Sequence, residues 1–292
     1  SYIYLYGDMD IEEKLNWIDE NYLKNFDNDP VDSEIHLQQP FSQVREVRSE
    51  YSLSEGEDIK DNTYLSYNMV LDLSLNIETS MAMQVLEYVL LSAPGAPLKQ
   101  ALIDAVIGKD ILSSYDADIY QTTLSIIAKN SEEDKKDEFL RIIKDTLNQI
   151  VEDGLDTKSL RAGINLYEFK SREADFGSFP KGLIYGIQSL STWLYDDNQP
   201  FSKLSFDVFE SLKEKIGTNY YTDLIKRYLL NNTHASVVIL KPKPGLTSEK
   251  EAKLRKKLDD YKASLSKEEI AKIIDDTKKL KQYQEEPSSK ED

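Results

Sequence analysis

Two patterns alternate along the chain, and their order is what most restricts its fold. Stretches rich in aromatic and branched residues, or alternating apolar with polar, at Tyr2–Tyr6, Val44–Leu53, Thr63–Leu75, Ser114–Asn130 and Ala235–Leu240 read as strands. Elsewhere apolar residues return every third or fourth position, the spacing of helices with one buried stripe. These helical stretches are Ile11–Phe26, the segment around Met81–Leu90, Leu98–Ile107, Glu132–Asp153, Thr157–Arg172, Gly182–Tyr195, Lys203–Ile216 and Asn219–Leu230. The resulting order is strands, helices, strand, helices, strand. It predicts an α+β fold: an antiparallel sheet with helices packed on one face. Phe139, Ile142, Ile143, Leu147 and Ile150 mark the buried stripe of one helix. Leu183, Ile187, Leu190 and Leu194 mark that of another, with Trp193 beside it in the core.

The breaks divide the chain. Asp27-Asn28-Asp29-Pro30 ends the first helix, and the polar, unpatterned stretch 31–43 reads as a linker. Lys241-Pro242-Lys243-Pro244-Gly245 ends the globular part. Two charged helices follow, Thr247–Ala263 and Ser266–Gln284. Thr247 or Ser248 with Glu251, and Ser266 with Glu269, have the spacing of capping boxes. So short a connection predicts an antiparallel helical hairpin over 246–286. Residues 241–292 carry 14 Lys and Arg against 12 Asp and Glu, whereas the rest carries 22 against 41, so charge and architecture change together. The tail, 287–292, is expected to be disordered.

Composition excludes several function classes. The net charge of −17 argues against nucleic acid and against an anionic membrane surface, both of which need a basic footprint. No apolar run approaches the ~20 residues of a membrane-spanning helix. Without cysteine there is no disulfide, no thiolate nucleophile and no Cys-type metal site, which fits a soluble protein of a reducing compartment. The two histidines, His36 and His234, have no His, Asp or Glu three or four residues on, so no helical zinc motif is present. Both read as surface or turn residues. Glu55, Glu57, Asp58 and Asp61 lack the alternate spacing of a calcium loop, and Glu132-Glu133-Asp134 suits a helix start. Ala93-Pro94-Gly95-Ala96-Pro97 separates two helices and is no phosphate loop. Arg172–Gly182 reads as a packed turn with an internal Arg/Glu/Asp network. No catalytic, cofactor-binding or metal-binding residue is therefore assigned.

The sequence does resemble a known family. Tyr6-Gly7-Asp8 followed by a helix ending at Tyr22–Phe26 resembles the last strand–helix unit of the catalytic domain in pitrilysin/insulinase-type zinc metallopeptidases. Arg172–Gly182 with Trp193-Leu194-Tyr195-Asp196 is similar to the second domain of the presequence-protease and falcilysin branch. Ala235–Leu240 with Lys241-Pro242 and the charged helices resembles that domain's last strand and the start of its hinge. The resemblance implies an internal piece of a longer enzyme. Residues 1–30 would close the catalytic domain, 31–43 would link, 44–245 would form the second, non-catalytic roll domain, and 246–286 would begin the hinge. It implies a zinc endopeptidase that encloses short unfolded peptides, with its zinc ligands and base upstream of Ser1 and its substrate-clamping Arg and Tyr downstream of Asp292. The partners expected are the remaining domains and the peptide substrate. The compartment expected is the cytoplasm in a bacterium, otherwise an organelle. The alternative is a piece of an inactive homologue acting as a scaffold or peptide-binding subunit.

Overall fold

A computed structural model describes the chain except for residues 1, 28, 30, 55 and 288–292, so most of the expected disordered tail lies outside the described residues. The chain divides into two units. One comprises Ser1–Ser49 and Lys60–Lys241, the other Glu50–Ile59 and Pro242–Asp292.

The elements follow the predicted order. Helix α1 (Ile11–Asn21), capped by the Asp10 carboxylate, is followed by irregular chain and strand β1 (Arg45–Leu53). Strand β2 (Thr63–Leu73) leads to α2 (Ile77–Glu87), which widens into a π-helical turn at Tyr88–Ser92, and then to α3 (Pro97–Asp104). Strands β3 (Asp110–Asp116) and β4 (Gln121–Ser131) form a hairpin. Helices α4 (Lys136–Asp153), α5 (Thr157–Glu173), α6 (Lys181–Trp193), α7 (Asp207–Glu214) and α8 (Tyr220–Leu224) come next, the last continuing as a π-helical segment, Ile225–Leu230. Strand β5 (Ala235–Pro244) precedes α9 (Leu246–Ser264) and α10 (Lys267–Glu285).

The five strands form one sheet in the order β1-β5-β2-β4-β3. Its pairings β2–β4, β2–β5 and β3–β4 are antiparallel. The register puts Ala235, Met69 and Leu124 in one cross-strand row and Val237, Tyr67 and Ile126 in the next. That face is covered by the helices. Met69, Leu124 and Ile126 are buried in one apolar cluster with Leu86 and Leu90 of the α2 region, Phe139 of α4 and Ile225 after α8. On the opposite face the central residues, among them Ser66, Asn68, Ser125 and Ile127, are half-buried, and the Gln121 side chain of β4 exchanges hydrogen bonds with the Gln38 backbone (2.7 and 3.2 Å).

Four sequence expectations need correction. Ser114–Asn130 is two strands, not one. The chain reverses at Asp116-Ala117-Asp118, where the Asp118 N–H donates to Asp116 Oδ1 (3.0 Å) in a turn built without glycine or proline. Tyr2–Tyr6 is extended but pairs with no strand among the described residues. It runs along α6, with Tyr2 edge-on to Trp193 (4.9 Å) and Tyr6 edge-on to Tyr185 (5.7 Å). Tyr4 lies so close to Gly186 that a Cβ there would stand 2.9 Å from its ring.

The buried side of α6 is the third correction. It consists of Gly186, Ser189, Ser191 and Thr192, while Leu183, Ile187 and Leu194 face outward and Trp193 is half-buried. Small residues let the helix approach its neighbours closely, and that contact wins over burial of the apolar stripe. Finally, strand β5 runs on through Pro244, and α9 starts after Gly245 in the left-handed region (φ 74°) with no side-chain cap, so the first capping box does not form. The second does: Ser266 and Glu269 cap α10 reciprocally. Leu265 and Ser266 join α9 to α10. Leu254, Leu258, Tyr261, Ile273, Ile274, Leu280 and Tyr283 on these helices are all exposed.

Candidate functional site

The residues that the sequence singled out for possible chemistry are dispersed. Exposed His36 has Nδ1 3.9 Å from the Glu34 carboxylate. His234 is buried, its ring edge-on to Phe41 (4.7 Å), and its Nε2 has no hydrogen-bond partner. Among the described residues no three His, Cys, Asp or Glu side chains come together as a metal would need. Zinc therefore does not fit the residues present here, and no catalytic step is drawn through it.

The acidic clusters are used structurally. Glu132 accepts the Asp61 N–H (2.6 Å), and Asp61 pairs with Lys109 (3.4 Å). Glu133 binds Arg48 of β1 and Lys241 of β5, so the start of the α4 region ties two strands together. In the turn 172–182, Arg172 donates Nε–H to Glu168 (2.8 Å) and lies over the Phe206 ring (4.8 Å). Asp175 accepts the Gly177 N–H (3.0 Å). Arg172 thus pairs back into α5 rather than with Glu173 or Asp175.

His234 is a buried titratable group. Burial, followed by the nearby Arg45 guanidinium, holds its pKa below the usual 6.5. Arg45 itself lies over Phe41 (3.8 Å), and the Phe41 carbonyl accepts the Thr233 hydroxyl (2.8 Å). The folded state thus prefers the neutral ring. The stability this contributes is complete above pH 6.5 and is lost as pH falls below it through the folded pKa. Glu46, Glu78 and Glu168 are shifted below 4.5, so their contribution is lost only in stronger acid. Thermal melts between pH 7 and 5 should show a fall in Tm that His234→Gln removes. An equal fall in both proteins would mean that His234 is not the titrating group.

One surface stands out by its chemistry. On the open face of the sheet, Ser236, Asn68, Ser125 and Ser114 lie in one cross-strand row, and Val238, Ser66, Ile127 and Leu112 in the next. Val70, Thr123 and Asp116 continue it. In a chain of net charge −17, the two central rows contain no charged side chain. Asn68 donates Nδ2–H to Ser66 Oγ (3.0 Å), two residues along the same face. A neutral floor of hydroxyls, one amide and small aliphatic groups can accommodate extended backbone without selecting for charge. Sequence alternation marked these positions as outward-facing but could not tell a solvent face from a binding face.

Comparison with known proteins places the chain. Residues 1–167 match the family described as the peptidase M16 inactive domain, and residues 240–292 match a region described as associated with the C subfamily of the same peptidases. Protein HypA of Clostridium perfringens is 42% identical over 100% of this chain and 30% of its own length. Presequence protease 1, chloroplastic/mitochondrial, of Arabidopsis thaliana is 30% identical over 99% of this chain and 27% of its own length. The chain thus spans less than a third of either relative. The crystal structure of a protease from Helicobacter pylori has the same fold, with a TM-score of 0.54 over 81% of this chain and 53% of that one, at 14% identity.

Proposed function

The chain belongs to the M16 peptidases as their inactive domain, in the presequence-protease branch, and from that premise we propose that it is a chamber wall of a zinc-dependent endopeptidase that degrades short unfolded peptides. Residues 44–245 form the non-catalytic roll domain of this reading, and 246–286 begin the helical hinge. The zinc and its ligands belong to the remainder of the longer protein, as do the partners: the other domains and the peptide. The exposed apolar stripes support this. Ile11, Leu15 and Trp17 on α1, and Leu183, Ile187 and Leu194 on α6, are each about half exposed, which a finished surface seldom tolerates in such clusters. The reading also places the protein in a cytoplasmic or organellar compartment; no helix among the described residues is long and apolar enough to cross a membrane.

The observation that carries the proposal is the open sheet face. It is neutral in its two central rows and built on the strands that hold the core. In the uninterrupted protein, Asn68→Lys with Ser125→Lys sets two ammonium groups side by side on this face, since the two residues are cross-strand partners. Cleavage of an unstructured peptide of about twenty residues should then show KM raised by roughly 10-fold, about 1.4 kcal/mol of binding, with zinc content unchanged. Unaltered KM in a correctly folded variant would remove this face from the substrate path.

A further inference from the structure

A second recess lies among the helices at the end of β3. It is a cavity of about 550 Å³ between α2, the end of β3, α5, α6 and the start of α7. That is within the ~300–1,000 Å³ of small-ligand sites. Its walls are aromatic: Tyr167, Phe176, Tyr185 and Phe206, with the Met81 thioether beside them. Phe176 and Tyr185 meet edge to face (5.8 Å), and the Arg172 guanidinium occupies one face of Phe206, so the rings are fixed in place.

Several polar groups lining this cavity already have partners. The Tyr115 hydroxyl donates to the Ser80 carbonyl (3.0 Å), and the Lys203 ammonium is bound by the Ala117 carbonyl and by Asp118 (3.1 Å). Asp116 and Lys170 are of opposite sign, and Lys170 stands over the Tyr167 ring (5.7 Å). The walls therefore carry no excess charge to attract an ion. Two groups differ. The side chains of Gln84 on α2 and Gln188 on α6 line the cavity and make no hydrogen bond among the described residues. A carboxamide donates and accepts at once, which matches both halves of a peptide bond. An aromatic-walled, neutral recess with two unpaired carboxamides calls for an uncharged aromatic group carrying amides.

We propose that this cavity binds an aromatic side chain of an unfolded peptide, with the flanking backbone amides paired to Gln84 and Gln188. The site rests on the reading of the chain as part of a peptide-handling enzyme, and it meets the open sheet face only at the end of β3, where Ser114 and Asp116 belong to both linings. It would hold one bulky residue of a peptide as an anchor.

The chain has four methionines, Met9, Met69, Met81 and Met83, and only Met81 lines the cavity. With 13C-methyl methionine labelling, N-acetylphenylalanine amide should move the Met81 resonance saturably, with Kd on the order of 1 mM for so small a ligand. Met9 should stay fixed, and N-acetylalanine amide should produce no saturable shift. Gln84→Leu with Gln188→Leu should weaken binding roughly 10-fold, through loss of two hydrogen bonds. The buried Met69 and Met83 methyls report whether the variant is folded; should it not be, Gln84→Asn with Gln188→Asn replaces it, with the same weakening expected. No Met81 shift at tens of millimolar (~50 mM, far above the expected Kd), equal response to the alanine ligand, or unweakened binding by the folded variant would overturn the proposal. These results leave the peptidase reading untouched, because that reading is judged by cleavage in the uninterrupted protein.

Discussion

Phe139→Ala is expected to destabilise the chain by about 3–5 kcal/mol, the cost of deleting a fully enclosed aromatic ring and leaving its space partly empty. Phe139 has no exposed surface and sits in the cluster joining α4 to the sheet through Met69, Leu124 and Ile126. Helix α4 packs against α3, the α8 region and β2, so a void beside Phe139 loosens contacts on several sides. Denaturant unfolding of the two proteins measures the difference. The contrasting substitution is Leu183→Ala on α6. Leu183 is 51% exposed, so its loss should cost less than about 1 kcal/mol. If Leu183→Ala proved as damaging as Phe139→Ala, the outward orientation of the α6 stripe would be wrong.

This pair of residues also shows how far the sequence could be read. Both stripes have the same helical spacing, and for α4 the inference from spacing to burial holds at Phe139, Ile142, Ile143 and Leu147. For α6 it does not. Spacing identifies an apolar face but not what covers it, and here the helix turns its small face, Gly186, Ser189 and Thr192, inward. Tyr2, Tyr4 and Tyr6 make a similar point. Their aromatic and branched content correctly signals extended backbone, yet they run along a helix with glycines at 182 and 186, not beside a neighbouring strand. The reversal between β3 and β4 was hidden because Asp116 and Asp118 close it through a side-chain hydrogen bond, while Ile119 and Tyr120 keep the apolar alternation running.

The candidate surfaces were legible in a different way. The histidines and acidic clusters, which attract attention in a one-dimensional reading, prove to be an exposed linker residue, a buried packing residue and a set of ties between strands and helix starts. Ser66, Asn68, Ser125 and Ser236 carry no motif. They become a surface only when the register aligns them, and that register joins residues more than 100 positions apart, such as Asn68 and Ser236. The cavity is still less visible, since Gln84 and Gln188 lie on different helices and neither is unusual in its local context.

The most direct test of the account compares cleavage by this chain with cleavage by the uninterrupted protein. Catalytic zinc needs three protein ligands in fixed geometry, an open position for water, and a base beside that water. Among the described residues no three candidate ligands converge, and the two histidines lie in unlike settings, one exposed in the linker and one buried beneath Phe41. A quenched, unstructured peptide incubated with the chain and excess zinc should therefore stay intact. The uninterrupted protein should cleave the same peptide, in a chelator-sensitive manner, at a rate exceeding the uncatalysed reaction by roughly 10⁶-fold or more. Chelator-sensitive cleavage by the chain alone, abolished by His36→Ala or His234→Ala, would contradict the account. So would a zinc-loaded uninterrupted protein that leaves the peptide whole.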